Sequence, residues 1–293
     1  MIVLVIGSKG QLGNEIKSIV ETGKAEIGQV SKNIINSKFQ FMDVEDLDIV
    51  DQNQVDEALT KANPDVVINC AAFTNVDACE SNEEVSFKVN SIGARNLAIV
   101  CEKIEAKLVQ VSTDYVFSGI GVNPLKEYDE TNPYSVYGKT KLMGEDFVRN
   151  FCSKYFIVRT AWLYGYVGKN FVYTMMKLAK EKESLNVVND QKGNPTNAND
   201  LAYHILKLIE TNEYGVYHCT GKGECTWYDF ASEIIRLSGE KCIVNPCTSE
   251  EFKTAAKRPE YSSLDNMMLR CTVGDEMRDW EKALNSFIKN INK

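Results

Sequence analysis

Tyr137 and Lys141 stand four residues apart in Tyr137-Gly138-Lys139-Thr140-Lys141, a spacing that puts both side chains on one face of a helix. A phenol ordinarily titrates near about 10. An ammonium one turn away favours the phenolate and brings the group within reach of proton transfer near neutrality. The pair can serve as acid or base. Tyr173 with Lys177 and Tyr203 with Lys207 repeat the spacing, so context must choose among the three. Only Tyr137 follows, after a loop of suitable length, a strand-like run ending in Val111-Ser112-Thr113-Asp114-Tyr115-Val116-Phe117. Thr113 at that strand end is either structural or a hydrogen-bond donor to a reacting carbonyl. Beside the Tyr/Lys pair it completes a candidate catalytic set of Tyr137, Lys141 and Thr113.

Such a set needs a scaffold, and the chain opens with one. Ile2-Val3-Leu4-Val5-Ile6 runs into Gly7-Ser8-Lys9-Gly10-Gln11-Leu12-Gly13 at the start of an amphipathic stretch. One glycine permits the tight turn, one removes the side chain where phosphate approaches, and one allows close helix packing, so helix-start N–H groups can meet a pyrophosphate. The alternative is a purely structural strand-to-helix link. With a dinucleotide bound, Lys141 could also donate to ribose hydroxyls and fix the nicotinamide beside the substrate carbon.

Strand-like runs then alternate with helical ones: Asp65 to Asn69, a helix around Val85 to Ile104, Lys107 to Ser112, a helix from near Pro133-Tyr134, and Tyr155 to Arg159. This alternation predicts an α/β fold, a doubly wound parallel (Rossmann) sheet whose ligands gather beyond the carboxyl ends of the strands, pointing Asn69, Ser112 and Thr113 at the crevice. From Asn170 onward helices and short strands mix with loops. Residues 1–165 are expected to form the dinucleotide-binding domain and 166–293 a smaller α/β substrate lobe, with a segment near 196–220 returning to the first.

The 293 residues are 44% hydrophobic and 25% charged, the usage of an ordinary globular chain. A net charge of −8 opposes non-specific attraction to nucleic acid or anionic lipid. Nine cysteines without C-x-x-C pairing read as reduced core residues, which points to a cytoplasmic protein. His204 and His218 lie at no zinc-ligand spacing, so no metal is expected in the chemistry. No apolar run approaches the roughly 20 residues of a membrane helix, and the apolar start is too short for a secretory leader.

Several stretches together resemble the dTDP-4-dehydrorhamnose reductases of the extended short-chain dehydrogenase/reductase superfamily. They are the Gly7 to Gly13 turn, Leu47-Asp48-Ile49, Asn69 to Asp77, Ser112 to Phe117, Tyr137 to Lys141, Arg159 to Gly165, Asn170-Phe171, Gly193 to Thr196, Arg258 to Leu264 and Asp279-Trp280. The resemblance covers nearly the whole chain. It implies NADH- or NADPH-dependent reduction of the C4 ketone of dTDP-4-dehydro-6-deoxy-L-mannose, with Tyr137 as proton donor and Lys141 and Thr113 orienting cofactor and sugar. By the same resemblance Gly7, Gly10, Gln11, Leu12 and Gly13 hold the cofactor's phosphates, and Asp48 and Ile49 its adenine. Ala71, Ala72, Phe73, Thr74 and Val111 line the way to the nicotinamide, and Thr113, Asp114, Trp162 and Arg258 meet the sugar nucleotide. Trp162 is otherwise a core aromatic, and Arg258 otherwise a surface cation.

Three departures sharpen the reading. Dehydratases of the superfamily follow the strand threonine with Asp-Glu, whereas Thr113-Asp114 is followed here by Tyr115, which favours simple reduction over elimination. About 20 residues past the glycine turn, where an acid would hold the adenosine ribose, stands Val30-Ser31-Lys32-Asn33, which leaves NADH and NADPH both open. Glu15 matches a position through which some family dimers bind Mg²⁺, but its partners are missing, so no metal-dependent dimer is expected and the chain is read as a monomer or homodimer. The competing readings are another sugar-nucleotide reductase or epimerase, and a non-catalytic NAD(P)-binding regulatory subunit.

Overall fold

A computed structural model describes residues 1–291. Six short runs rich in β-branched or aromatic residues form one parallel sheet: β1 (Ile2–Ile6), β2 (Lys38–Met42), β3 (Val66–Asn69), β4 (Lys107–Thr113), β5 (Tyr155–Thr160) and β6 (Gly215–His218), in the order β2-β1-β3-β4-β5-β6. The order reverses at β1, so a crevice opens between the carboxyl ends of β1 and β3.

Alternation along each strand sends its residues to opposite faces. Val3 and Val5, with Val66, Ile68, Val109 and Val158, pack under α1 (Gln11–Thr22). Leu4 and Ile6, with Val67, Leu108 and Ile157, pack under α2 (Gln52–Ala62), α3 (Gly93–Lys103) and α4 (Val136–Phe151). Both faces are covered, which is why these strands read as nearly continuous apolar runs. Each fully buried Leu or Ile contributes about 1.5–3 kcal/mol, and together they set the strand register.

Beyond β5 the chain builds α5 (Phe171–Glu181), then returns to the sheet through α6 (Ala198–Leu208), which packs on α1, and β6, whose Gly215 lies opposite Phe156. A separate core joins α5, α7 (Trp227–Ser238), α8 (Trp280–Ile291) and the parallel strands Ser184–Val188 and Ile243–Cys247. The helix expected over 85–104 is interrupted: Lys88–Ile92 forms a π-turn that runs directly into α3. Among the described residues no helix is long and apolar enough to cross a membrane.

Candidate active site

A cavity of about 540 Å³ opens where the two cores meet, at the carboxyl ends of β1, β3, β4 and β5. At its floor is the glycine turn. Gly7 adopts φ 77°, and a Cβ on Gly13 would lie 2.5 Å from the Gly7 carbonyl oxygen, so the turn closes only with glycine at both. Gly10 begins α1 with no side-chain cap, so first-turn N–H groups are free for an anion. Gly10, Gln11 and Leu12 line the cavity. The Gln11 side chain meanwhile accepts from Gly165 N–H at 2.8 Å and Asn170 Nδ2 at 3.1 Å, tying the turn to the segment that leads into α5. This uncapped helix start, a bare glycine and a roomy cleft fit a dinucleotide.

Ser135 caps α4 by accepting from Gly138 N–H at 3.1 Å, and one turn on the helix presents Tyr137 and Lys141 to the cavity. Lys141 Nζ donates to the Val111 carbonyl at 2.6 Å. Burial lowers its pKa to about 8, with Glu145 opposing the shift. The Tyr137 phenol is pushed well above its ordinary value by burial, while a hydrogen bond with Thr113 acts the other way. Burial therefore opposes the acidification expected of the phenol beside Lys141. The ammonium is aimed at β4 and burial dominates, so Tyr137 rests firmly protonated, the form a proton donor requires.

Thr113 Oγ1 accepts from Tyr115 N–H at 3.2 Å and donates to Asp114 Oδ1 at 2.9 Å. Asp114 is buried, and that burial raises its pKa to about 6. Trp162 is half-buried on the cavity wall at φ 46°, a strained backbone for an aromatic residue, and stacks on Trp227 with centroids 3.6 Å apart and planes 8° apart. Arg258 also lines the cavity; its Nη2 pairs with Asp77 at 2.7 Å.

The cavity thus gathers Ala72, Thr74, Val111, Thr113, Asp114, Tyr137, Lys141, Trp162 and Arg258 with the glycine turn. Ala71, Phe73, Asp48 and Ile49 do not line it. Phe73 is fixed through both backbone groups by Asn90, at 2.8 and 3.1 Å. Ile49 turns its side chain into the core against Gly93, and Asp48 caps the local turn by accepting from Val50 N–H at 2.9 Å. Glu15 faces inward to Asn199 at 2.9 Å and Tyr166 N–H at 3.3 Å. The other Tyr/Lys pairs lie elsewhere: Tyr203 and Lys207 both bond Glu276, and Tyr173 donates to the Tyr166 carbonyl.

The count of about 20 residues past the glycine turn does not reach the strand beside β1. Val30-Ser31-Lys32-Asn33 belongs to a side hairpin and short helix leaning on α6, with Ser31 Oγ donating to Glu210 at 2.6 Å. The strand beside β1 comes later and ends at Met42, directly before Asp43, whose Oδ2 accepts from Lys9 N–H of the glycine turn at 2.8 Å. Asp43 is thus the carboxylate that stands beside the glycine turn. The inserted hairpin hid it; the run Phe39-Gln40-Phe41-Met42 before an aspartate was the readable signal. Trp227 and Asn90 were missed as well. Asn90 sits on the π-turn and also donates to Thr140 Oγ1 of α4 at 3.2 Å, so it braces α4 against the Phe73 backbone.

A doubly wound sheet, a glycine turn at its switch point and a threonine, tyrosine and lysine facing one cleft define a Rossmann-type extended short-chain dehydrogenase/reductase. Within that class the chain belongs to the RmlD substrate binding domain family, whose model matches residues 1–293. It is similar to the dTDP-4-dehydrorhamnose reductase of Clostridium acetobutylicum, with a TM-score of 0.94 and 48% identity over 100% of both chains. The Bacillus anthracis dTDP-4-dehydrorhamnose reductase, solved in complex with NADP, has a TM-score of 0.92 and 39% identity, covering 99% of each chain. The spore coat polysaccharide biosynthesis protein SpsK of Bacillus subtilis is 38% identical, covering 98% of this chain and 96% of that protein.

Proposed function

We propose that this protein reduces the C4 ketone of dTDP-4-dehydro-6-deoxy-L-mannose to the alcohol of dTDP-L-rhamnose, using NADH or NADPH. The observation that carries the reading is Tyr137, Lys141 and Thr113 converging on one cavity floored by an uncapped helix start. Full-length similarity to two solved dTDP-4-dehydrorhamnose reductases supports the substrate. When bound, the reduced nicotinamide supplies a hydride to the sugar's C4. Thr113 then orients the carbonyl oxygen by hydrogen bonding, and Tyr137 gives its proton to that oxygen. A phenol held protonated can still do this, because the alkoxide formed is the stronger base. Lys141 holds the ribose and keeps a positive charge near the departing proton. Asp114 and Trp162 contact the hexose, and Arg258 takes the diphosphate with its remaining guanidinium donors. Asp43 accepts from a ribose hydroxyl. Tyr115 leaves the strand end with a single carboxylate, which favours reduction over dehydration.

The test is consumption of reduced nicotinamide by purified protein given the dTDP sugar, with dTDP-L-rhamnose identified as product. Tyr137→Phe is expected to lower kcat by about 10²–10⁴-fold while cofactor affinity stays within about twofold. A fully active Phe variant would falsify the assignment of the acid.

A further inference from the structure

Asp77 lies in the first turn of the short helix Val76–Ser81, directly after the Ala72-Phe73-Thr74 stretch, and is outside the cavity that its neighbour Val76 lines. Both carboxylate oxygens reach across to the smaller lobe. Oδ1 accepts from Ala256 N–H at 3.0 Å, and Oδ2 accepts from Arg258 Nη2 at 2.7 Å. Arg258 Nη1 in turn donates to the Tyr115 hydroxyl at 3.1 Å, and the Tyr115 ring meets Tyr137 edge-on, with centroids 5.5 Å apart and planes at 73°. A continuous line of contacts therefore runs from Asp77 to the ring of the proton donor. Residues 250–255 of the loop are exposed, and the chain next meets the first lobe at Pro259 and at Tyr261 N–H, which bonds the Gly119 carbonyl at 2.9 Å.

We propose that Asp77 is a positioning residue that seats Arg258 in the cleft for the substrate's diphosphate and, through Arg258 and Tyr115, steadies the ring of Tyr137. The proposal rests on the sugar-nucleotide reading above. Arginine has many rotamers, so a diphosphate that had to order a free Arg258 would bind more weakly than one meeting it already placed. Asp77 and Tyr115 each engage one terminal nitrogen, and the guanidinium has five N–H donors, so some remain for phosphate. Asp77 also offsets part of the arginine's charge. Their side chains are 40% and 26% exposed, so this opposing attraction is screened and ordering prevails.

The experiment measures dTDP binding by quenching of tryptophan fluorescence, NADPH binding separately, and steady-state rates, in Asp77→Asn, Asp77→Glu, Arg258→Ala and the Asp77→Asn/Arg258→Ala double variant. Asp77→Asn is expected to weaken dTDP about fivefold, leave NADPH affinity unchanged, and raise KM for the sugar nucleotide more than it lowers kcat. Asp77→Glu should restore most of the affinity, and the double variant should bind dTDP no more weakly than Arg258→Ala alone. Equal or tighter dTDP binding in Asp77→Asn overturns the proposal, as does a parallel loss of dTDP and NADPH affinity, or additive losses in the double variant. A wild-type protein that reduced no sugar, while Asp77→Asn still weakened dTDP, would overturn the proposed activity and uphold the role of Asp77.

Discussion

In the proposed reaction Lys141 carries two demands at one atom, since its ammonium must stay charged to hold the ribose, yet it is buried and its pKa is lowered to about 8. The free protein's kcat/KM should therefore fall by about tenfold per pH unit above roughly pH 8, as the ammonium is lost. A profile flat to pH 10 would remove Lys141 from the chemistry. Asp114 carries the opposite strain. Its folded pKa of about 6 lies above the ordinary carboxylate value, so the unfolded chain binds fewer protons between about pH 4 and 6 and stability declines as pH rises through that window. Above it the buried anion imposes its full penalty. Asp114→Asn, which keeps an acceptor for Thr113, should gain about 2 kcal/mol against urea at pH 7 and almost nothing at pH 4, while losing turnover. An equal gain at both pH values would mean the carboxylate's charge is not the cause.

At the scale of elements, the proposed cofactor contact rests on the end of a strand. β2 delivers Asp43 beside the glycine turn, where a carboxylate accepts from a 2′-hydroxyl and repels a 2′-phosphate. Asp43→Asn should raise the NADPH-to-NADH ratio of kcat/KM by about tenfold, read from initial rates with each cofactor; an unmoved ratio would place the adenosine elsewhere. The same element shows what could be read from sequence. β1, β3, β4 and β5 were legible because strands buried on both faces leave apolar runs, and Tyr137, Lys141 and Thr113 were legible because helix spacing and a strand end have fixed geometry. β2 was not, since its residues are only half-buried and a hairpin displaces it from the usual count. Asp77, Asn90 and Trp227 were equally hidden. Their contacts come from across the sequence: Trp227 meets Trp162 from a helix 65 residues further on, and no local pattern encodes that meeting.

At the scale of the whole molecule, the cleft exists only if the two lobes keep their relation, and one arginine joins much of what must stay together. Arg278 donates to Asp200 of α6 from Nε and Nη2 at 2.8 and 2.7 Å, and its Nη1 pairs with Glu26 at 2.9 Å. Glu26 also accepts from Ser286 of α8 at 2.8 Å and from the Tyr166 hydroxyl. The first core, the returning helix and the C-terminal helix thus share one ion cluster. Asp200 is 1% exposed, so removing its cation leaves a buried charge without a counter-ion, a change that costs about 3–5 kcal/mol in comparable sites. Arg278→Ala should accordingly lower the midpoint of denaturant unfolding at pH 8. Burial already raises the Asp200 pKa, and without Arg278 it rises further, so the carboxyl takes up a proton on mild acidification. The deficit should then be smaller at pH 5 than at pH 8, because the folded variant binds that proton and the unfolded chain does not. A deficit independent of pH would mean that Arg278 acts through packing alone.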